Sequence, residues 1–267
     1  MRDGIPRLVA PAWESRHDPI ITATSAAFGH QWNRFGEYGR VGIQDLELHL
    51  PSGWTHRAFV GRVLDAGCGM GRYTALAAQL GALAIGMDIS NSVDKAGELW
   101  PYCEFVQADL VAPPFAPRSF DLVYSFGVLH HLPDPNRGVK ACFELVRPGG
   151  RLLLWVYGRR RTLLRRVRIV MRRLVARRRS LLAPIAVVTT IGLHFVLLFP
   201  RGRRMLPFYR DRDIRQLYLD CFDALSAPTE AYFDANDCRH LLSGLKARAS
   251  GFEPRSDGSG WILWAVK

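Results

Sequence analysis

Cysteine is scarce in this 267-residue chain, and acid is missing where its cations gather. The five cysteines, Cys68, Cys103, Cys142, Cys221 and Cys238, form an odd set with no Cys-x-x-Cys spacing. Neither a metal site nor a disulfide framework is supported, and reduced thiols in a cytoplasmic compartment are expected. No long apolar run follows the first basic residues, so no secretory leader is expected. Repeats and low-complexity tracts are absent apart from one arginine block. Between Arg159 and Arg179 there are eleven arginines and no acid, which accounts for most of the net charge of +12. The rest is close to neutral, so charge does not mark the whole protein as a nucleic-acid binder. Hydrophobic residues make up 48%. That is enough to fill the core of one large α/β domain with an insertion.

The most informative stretch is Val63-Leu64-Asp65-Ala66-Gly67-Cys68-Gly69-Met70-Gly71. An apolar run ends in an acid and then in three glycines at alternate positions. This pattern predicts a buried strand, a tight turn and a helix start, with bare backbone facing a ligand. Strand-like runs recur near 61–66, 82–87, 103–107, 120–125 and 151–157. Helix-like stretches lie between them near 70–80, 92–99 and 136–146. Such alternation predicts parallel pairing with both sheet faces covered. Pro148-Gly149-Gly150 is expected to stop a helix before the fifth strand. Residues 236–248 read as a helix, and 251–255 with 260–266 as a hairpin turned by Ser256-Asp257-Gly258-Ser259. The last strand is therefore antiparallel. Residues 1–20 read as loose. Phe28, Trp32, Phe35 and Tyr38 read as a packed short helix or as a cover over a ligand.

Asp88 ends the second run, where an acid can accept hydrogen bonds from ribose hydroxyls. A dinucleotide fingerprint wants a small residue where Arg72 stands. Gln107-Ala108-Asp109-Leu110 supplies a second acid that could accept from an adenine amino group. With Phe120-Asp121-Leu122-Val123-Tyr124-Ser125, Val128-Leu129-His130-His131-Leu132-Pro133-Asp134 and Leu145-Val146-Arg147-Pro148-Gly149-Gly150, six motifs stand in order over residues 60–157. On these the chain resembles class I S-adenosylmethionine-dependent methyltransferases, of the small-molecule group that includes ubiquinone and menaquinone biosynthesis enzymes.

The resemblance implies a doubly wound α/β sheet of seven mostly parallel strands with an antiparallel last strand, and S-adenosylmethionine as cofactor. It implies that Gly67, Cys68, Gly69 and Gly71 pass under the methionine part and that Asp65 holds its amino group. Asp88 with Ile89 would meet the ribose, and Ala108, Asp109 and Leu110 would frame the adenine. Ser125 and Phe126 would lie beside the sulfonium, and Trp32 with Phe28 would cover the cofactor. An oxygen or carbon nucleophile must lose a proton, and His131 and His130 are the nearest candidates. In such enzymes that pair also supports the cofactor pocket. Tyr157, ending the fifth strand, is the third candidate, on the acceptor side.

The expected organisation is an N-terminal cap over 1–58, a core over 59–157, a helical insertion over 158–233 and a closing helix and hairpin over 234–267. In the insertion, apolar positions 163, 167, 170, 171 and 174 fall on one side of a basic helix. Residues 181–199 then carry no charge. Three readings remain: a span, weakened by Pro184, Gly192 and His194; a membrane-surface segment whose arginines, Arg159–Arg179, meet anionic headgroups; and a lid over a substrate tunnel. The surface segment is favoured, which makes the protein cytoplasmic or peripheral on the inner face of a membrane. The acceptor is then small and apolar or amphipathic. Residues 205–235 are expected to return to the mouth of the site. An RNA methyltransferase, with arginines tracking phosphates, and a non-catalytic S-adenosylmethionine-binding membrane protein are the alternatives. Apolar interleaving disfavours nucleic acid. Arg72 and Asp109 disfavour an NAD-dependent oxidoreductase.

Overall fold

The computed structural model describes residues 4–9, 18–35, 41–159, 170–172, 174–175, 179–206, 209, 212–227 and 230–267. Its sheet holds β1 (Arg62–Ala66), β2 (Leu83–Asp88), β3 (Glu104–Gln107), β4 (Phe120–Phe126), β5 (Val146–Tyr157), β6 (Ala249–Pro254) and β7 (Gly260–Val266). The spatial order is β3-β2-β1-β4-β5-β7-β6, and β7 runs antiparallel to both β5 and β6. The strand order reverses between β1 and β4, and a crevice opens there at the carboxyl ends. Among its helices are α1 (Pro19–Phe35), α2 (Ile43–Glu47), α3 (Arg72–Gln79), α4 (Ser92–Leu99), α5 (Pro135–Leu145), α6 (Leu182–Leu197), α7 (Pro200–Met205), α8 (Ile214–Ser226) and α9 (Ala235–Ser243). The seven-stranded mixed sheet expected from the sequence is the one observed.

Alternation along the strands divides the core between two faces. Leu64, Val123, Leu152 and Leu154 pack with Val139 and Phe143 of α5 and with Leu241 and Leu242 of α9. Val63, Leu122, Tyr124 and Leu153 pack on the other face with Leu76 and Ala77 of α3 and with Leu46 and Phe59. Each fully buried side chain of this kind contributes about 1.5–3 kcal/mol. α5 starts where Asp134 accepts from the N–H groups of Asn136 (3.0 Å) and Arg137 (3.2 Å), with Pro135 in its first turn.

Three expectations need correction. Pro148-Gly149-Gly150 does not precede the fifth strand but bulges from it. Phe120 pairs with Val146 and Leu122 with Arg151, so residues 147–150 stand opposite Asp121 alone. The last helix ends at Ser243, capped at Gly244, because the chain must turn there into β6. The N-terminal segment is partly tied down: Arg7 bridges to Gln107, and Leu8 N–H donates to the Gln107 carbonyl at 2.8 Å. Tyr38 and residues 160–169 lie outside the described residues, and with them most of the predicted basic helix. Of its described part, Met171 packs inward and Val175 is buried, whereas Val170 and Leu174 are exposed.

α6 packs on α8 through Ala186, Ile185, Phe222 and Leu225. Its threonines return their hydroxyls to the helix, Thr189 to the Ile185 carbonyl (2.8 Å) and Thr190 to that of Ala186 (2.7 Å). The opposite side carries Val188, Ile191, Phe195 and Leu198, each about 60% exposed or more (67%, 59%, 61% and 63%). No helix among the described residues is long and apolar enough to cross a membrane. The insertion rejoins the core beside β5: Phe233 N–H donates to the Tyr157 carbonyl (2.9 Å), and Ala231 N–H to that of His130 (2.7 Å).

Candidate functional site

The loop after β1 is fastened to the end of β2. The N–H groups of Gly67 and Cys68 both donate to the Met87 carbonyl, at 2.7 and 3.0 Å. Gly67 sits at φ +90°, and a Cβ there would lie 2.4 Å from a methyl of Val128. Any side chain is therefore excluded by both backbone and space. A Cβ on Gly69 would come within 3.1 Å of the Trp32 indole nitrogen and fill the slot between loop and ring. Arg72 lies over the Trp32 ring at 4.9 Å and holds it against the loop.

Asp88 braces the same loop. Its Oδ2 accepts from Gly69 N–H (2.9 Å), and its Oδ1 accepts from both the N–H (2.8 Å) and the hydroxyl (2.7 Å) of Ser90. Oδ1 is thereby saturated, so a ribose hydroxyl must approach from the Oδ2 side. Asp65 is buried, and Thr74 Oγ1 donates to its Oδ2 at 2.7 Å. Burial pushes its carboxyl up to about 7, with the Asp88 charge adding and the Thr74 hydroxyl opposing. A cation beside Asp65 would favour its ionised form. Asp109 accepts from Val111 N–H at 2.9 Å, which fixes the turn after β3.

One cavity joins most of the predicted residues. Trp32, Asp65, Gly67, Cys68, Gly69, Asp88, Ile89, Ala108, Asp109, Leu110, Phe126, His131 and Tyr157 all line it. They come from the ends of all five parallel strands and from the covering helix α1. Three predicted residues stand behind the wall. Gly71 caps α3 against Phe105, which a Cβ would meet at 2.6 Å. Ser125 is fully buried and donates its hydroxyl to the Ala66 carbonyl at 2.6 Å. His130 is fully buried and stacks on Tyr157 with ring centroids 3.8 Å apart. His131 packs against Phe28 at 4.9 Å.

The wall also contains residues that the motifs did not point to. α8 contributes Leu219, Asp220 and Asp223. Gln31 of α1, fully buried, donates to Asp223 Oδ1 (3.2 Å) and accepts from the Ser226 hydroxyl (3.1 Å). Burial, with Glu230 and Asp220 adding their charges, pushes Asp223 up to about 7. Burial pushes Asp220 up to about 6 against the pull of Arg212. At the far end stand His49, Tyr73, Trp155, Arg212 and Arg255. The signal for α8 was present in sequence: Asp213 and Gln216 form a reciprocal cap. Asp220 and Asp223 then interrupt an otherwise apolar face three residues apart. Arg255 and His49 had no local signal, since only the closed fold brings them together.

The slot beneath Trp32, the open Oδ2 edge of Asp88 and the apolar frame of Ile89, Ala108 and Leu110 fit a nucleoside with an amino-acid tail. Comparison with known proteins agrees. Residues 64–154 match the family model described as "Methyltransferase domain". The chain is 32% identical over 139 residues to the ubiquinone biosynthesis O-methyltransferase of Idiomarina loihiensis, covering 49% of this chain and 57% of that one. It is 38% identical over 104 residues to the protein of the same name from Paraburkholderia phymatum, covering 36% and 42%. The chain thus spans about half the length of these curated relatives. Its fold is similar to that of Burkholderia thailandensis 1,6-didemethyltoxoflavin-N1-methyltransferase, solved with 1,6-didemethyltoxoflavin and S-adenosylhomocysteine bound. That likeness has a TM-score of 0.52 at 17% identity, over 97% of this chain and 91% of the other.

Proposed function

We propose that this chain, which carries a class I S-adenosylmethionine-dependent methyltransferase domain, transfers a methyl group to oxygen or carbon of a small amphipathic acceptor at a membrane surface. The observation that carries the reading is the convergence of five strand ends on one cavity, through Asp65, Asp88, Ala108 to Leu110, Phe126 and Tyr157. In it, Gly67 to Gly69 cradle the methionine part and Asp65 faces its amino group. Asp88 takes a ribose hydroxyl on Oδ2, and Ile89, Asp109 and Leu110 frame the adenine. S-adenosylmethionine supplies a methyl already activated on sulfur. The protein's task is therefore to align a nucleophile at short range and to exclude water. α1 and α8 close the cavity from above for that purpose. His131, on the cavity wall, is the proposed acceptor of the nucleophile's proton, directly or through water. His130, tilted at 4.3 Å, and Tyr157, edge-on at 6.3 Å, pack beside it.

The membrane reading is supported by the outward row of α6 and by Arg201, Arg203 and Arg204, all exposed, in the helix that follows it. An apolar row beside arginines complements an anionic bilayer. α8 packs on α6 and lines the cavity, so the apolar row lies one helix away from the site. The occupant of this surface is an anionic lipid bilayer, and the protein is cytoplasmic and peripheral.

The test is conversion of S-adenosylmethionine to S-adenosylhomocysteine in the presence of extracted lipids. Acceptor-dependent turnover is expected; its absence with every lipid fraction would contradict the reading. Flotation with phosphatidylglycerol vesicles should carry the protein upward, and phosphatidylcholine vesicles should not. Equal behaviour with both would remove the membrane role.

A further inference from the structure

The methionine part of the donor carries two charges on one carbon, an ammonium and a carboxylate. Asp65 answers the ammonium, so the carboxylate needs N–H groups or a cation close by. A glycine loop before a helix commonly offers its own N–H groups to an anion. This loop spends them inside the fold. Gly67 and Cys68 donate to the Met87 carbonyl, Gly69 to Asp88 Oδ2, and Gly71 to the Cys68 carbonyl at 2.9 Å. A side chain is left to meet the carboxylate.

Arg72, Arg212 and Arg255 bring guanidiniums to the cavity wall. Two of them already face acids: Arg212 Nε lies 3.7 Å from Asp220, and Arg255 Nε 3.4 Å from Asp257. Arg255 also donates to His49 Nε2 at 3.2 Å and lies over the Trp155 ring. Arg72 is differently placed. It follows Gly71 directly and opens α3, beside the cradle. Among the described residues its guanidinium makes no ion pair and no hydrogen bond; its contact is the Trp32 ring at 4.9 Å. That ring lies against the cradle, its indole nitrogen 3.1 Å from the place of a Cβ on Gly69. Asp220 and Asp223 feel the charge of Arg72, which pulls their carboxyls down, but neither pairs with it. The positive end of a helix macrodipole also disfavours a cation at this position, and α3 has no acid in its first turn. A carboxylate set beside Arg72 would offset that repulsion. The ring contact consumes no N–H, so the guanidinium keeps its donors for a two-pronged bond.

We propose that Arg72 takes the donor's carboxylate, with the Trp32 ring as the plate that steadies its guanidinium, and that this one side chain makes the site select a donor with an intact amino-acid tail. The proposal rests on the methyl-transfer reading and deepens its donor site. Charge-assisted bonds from a guanidinium to a carboxylate are strong and directional, so a donor lacking the carboxylate is set apart.

The experiment is titration calorimetry on the full chain with two probes, S-adenosylhomocysteine and S-adenosyl-3-thiopropylamine, which is the same molecule without its carboxylate. The wild type should bind S-adenosylhomocysteine at least tenfold tighter. In Arg72→Gln that preference should fall below threefold, while affinity for the amine stays within twofold of the wild type. Arg72→Met keeps the apolar stem over Trp32 without the charge, and gives the same readout if Arg72→Gln fails to fold. Equal binding of the two probes by the wild type, or a preference that survives in the Arg72 variants, would overturn the proposal. So would an equal loss for both probes in those variants, since Arg72 would then serve only to hold Trp32. A preference lost in Arg212→Gln and kept in Arg72→Gln would overturn it by moving the carboxylate to the helical wall. No binding of S-adenosylhomocysteine by the wild type would instead contradict the methyl-transfer reading.

Discussion

The cavity has a sheet-side wall and a helical wall, and they hold their carboxylates differently. On the sheet side Asp88 accepts from the N–H of Gly69 in the loop it braces and from the N–H and hydroxyl of Ser90, and Asp65 accepts from the Thr74 hydroxyl. On the helical side Asp223 has the amide of Gln31 as donor, and Asp220 has Arg212 at 3.7 Å. Yet Asp65 and Asp223 are raised alike to about 7, because burial dominates both. The difference lies in what surrounds them. Asp65 belongs to a backbone cradle in which each atom is fixed by the sheet, whereas Asp223 belongs to an insertion packed over it. The first arrangement suits the invariant part of a donor. The second suits an acceptor, and is where relatives sharing only the core can differ.

Gly67→Ala should break the comparison most severely. The left-handed backbone and the contact with Val128 together cost about 3 kcal/mol, or roughly a hundredfold in S-adenosylhomocysteine affinity. Combining it with Val128→Ala should recover part of that loss, as titration calorimetry can measure. Next come the two raised acids. Each has a folded-state value above its unfolded one, so each contributes stability below about pH 4 that is lost as pH rises through about 7. Asp65→Asn and Asp223→Asn should therefore both raise the melting temperature at pH 8 and change it little below pH 4. Only Asp65→Asn should weaken S-adenosylhomocysteine binding, by about tenfold, through loss of a hydrogen bond to a charged group. Equal weakening by both would erase the distinction between the walls.

Proton linkage sharpens the same point. Capture of the donor's ammonium by ionised Asp65 should release a proton below pH 7. Affinity should rise by up to about tenfold per unit towards pH 7 and then level off, and the heat should depend on the buffer's ionisation enthalpy. A pH-independent affinity would place the ammonium elsewhere. The smallest effect is expected on α6. Val188→Ser with Phe195→Ser removes apolar atoms already in water, so the melting temperature should move by no more than about 1 °C while flotation with anionic vesicles is lost.

The sheet-side wall was readable in sequence because its chemistry is local. Asp65 to Gly71, Asp88 and Ala108 to Leu110 each end a strand, and a strand end in a doubly wound sheet has only one edge to reach. Local reading does not resolve which side of the wall a neighbour occupies. Ser125 and Phe126 are adjacent, yet one turns to the Ala66 carbonyl and the other into the cavity, as strand alternation requires. The helical wall was legible only as a segment returning to the mouth. Its Asp223 meets Gln31, far away in sequence, as Arg255 of the β6–β7 turn meets His49, and no spacing rule links such pairs. The bulge at Pro148 to Gly150 was missed for a related reason. A Pro-Gly-Gly run stops a helix and permits a bulge equally well, and the pairing with β4 decides between them.

The most direct test of the donor site is a crystal structure of the chain with S-adenosylhomocysteine. The account predicts adenine between Ile89 and Leu110, a ribose hydroxyl on Asp88 Oδ2, and the amino group beside Asp65. The sulfur should open towards Phe126. A nucleoside bound anywhere else, or Asp88 and Asp109 both without contact to it, would contradict the account.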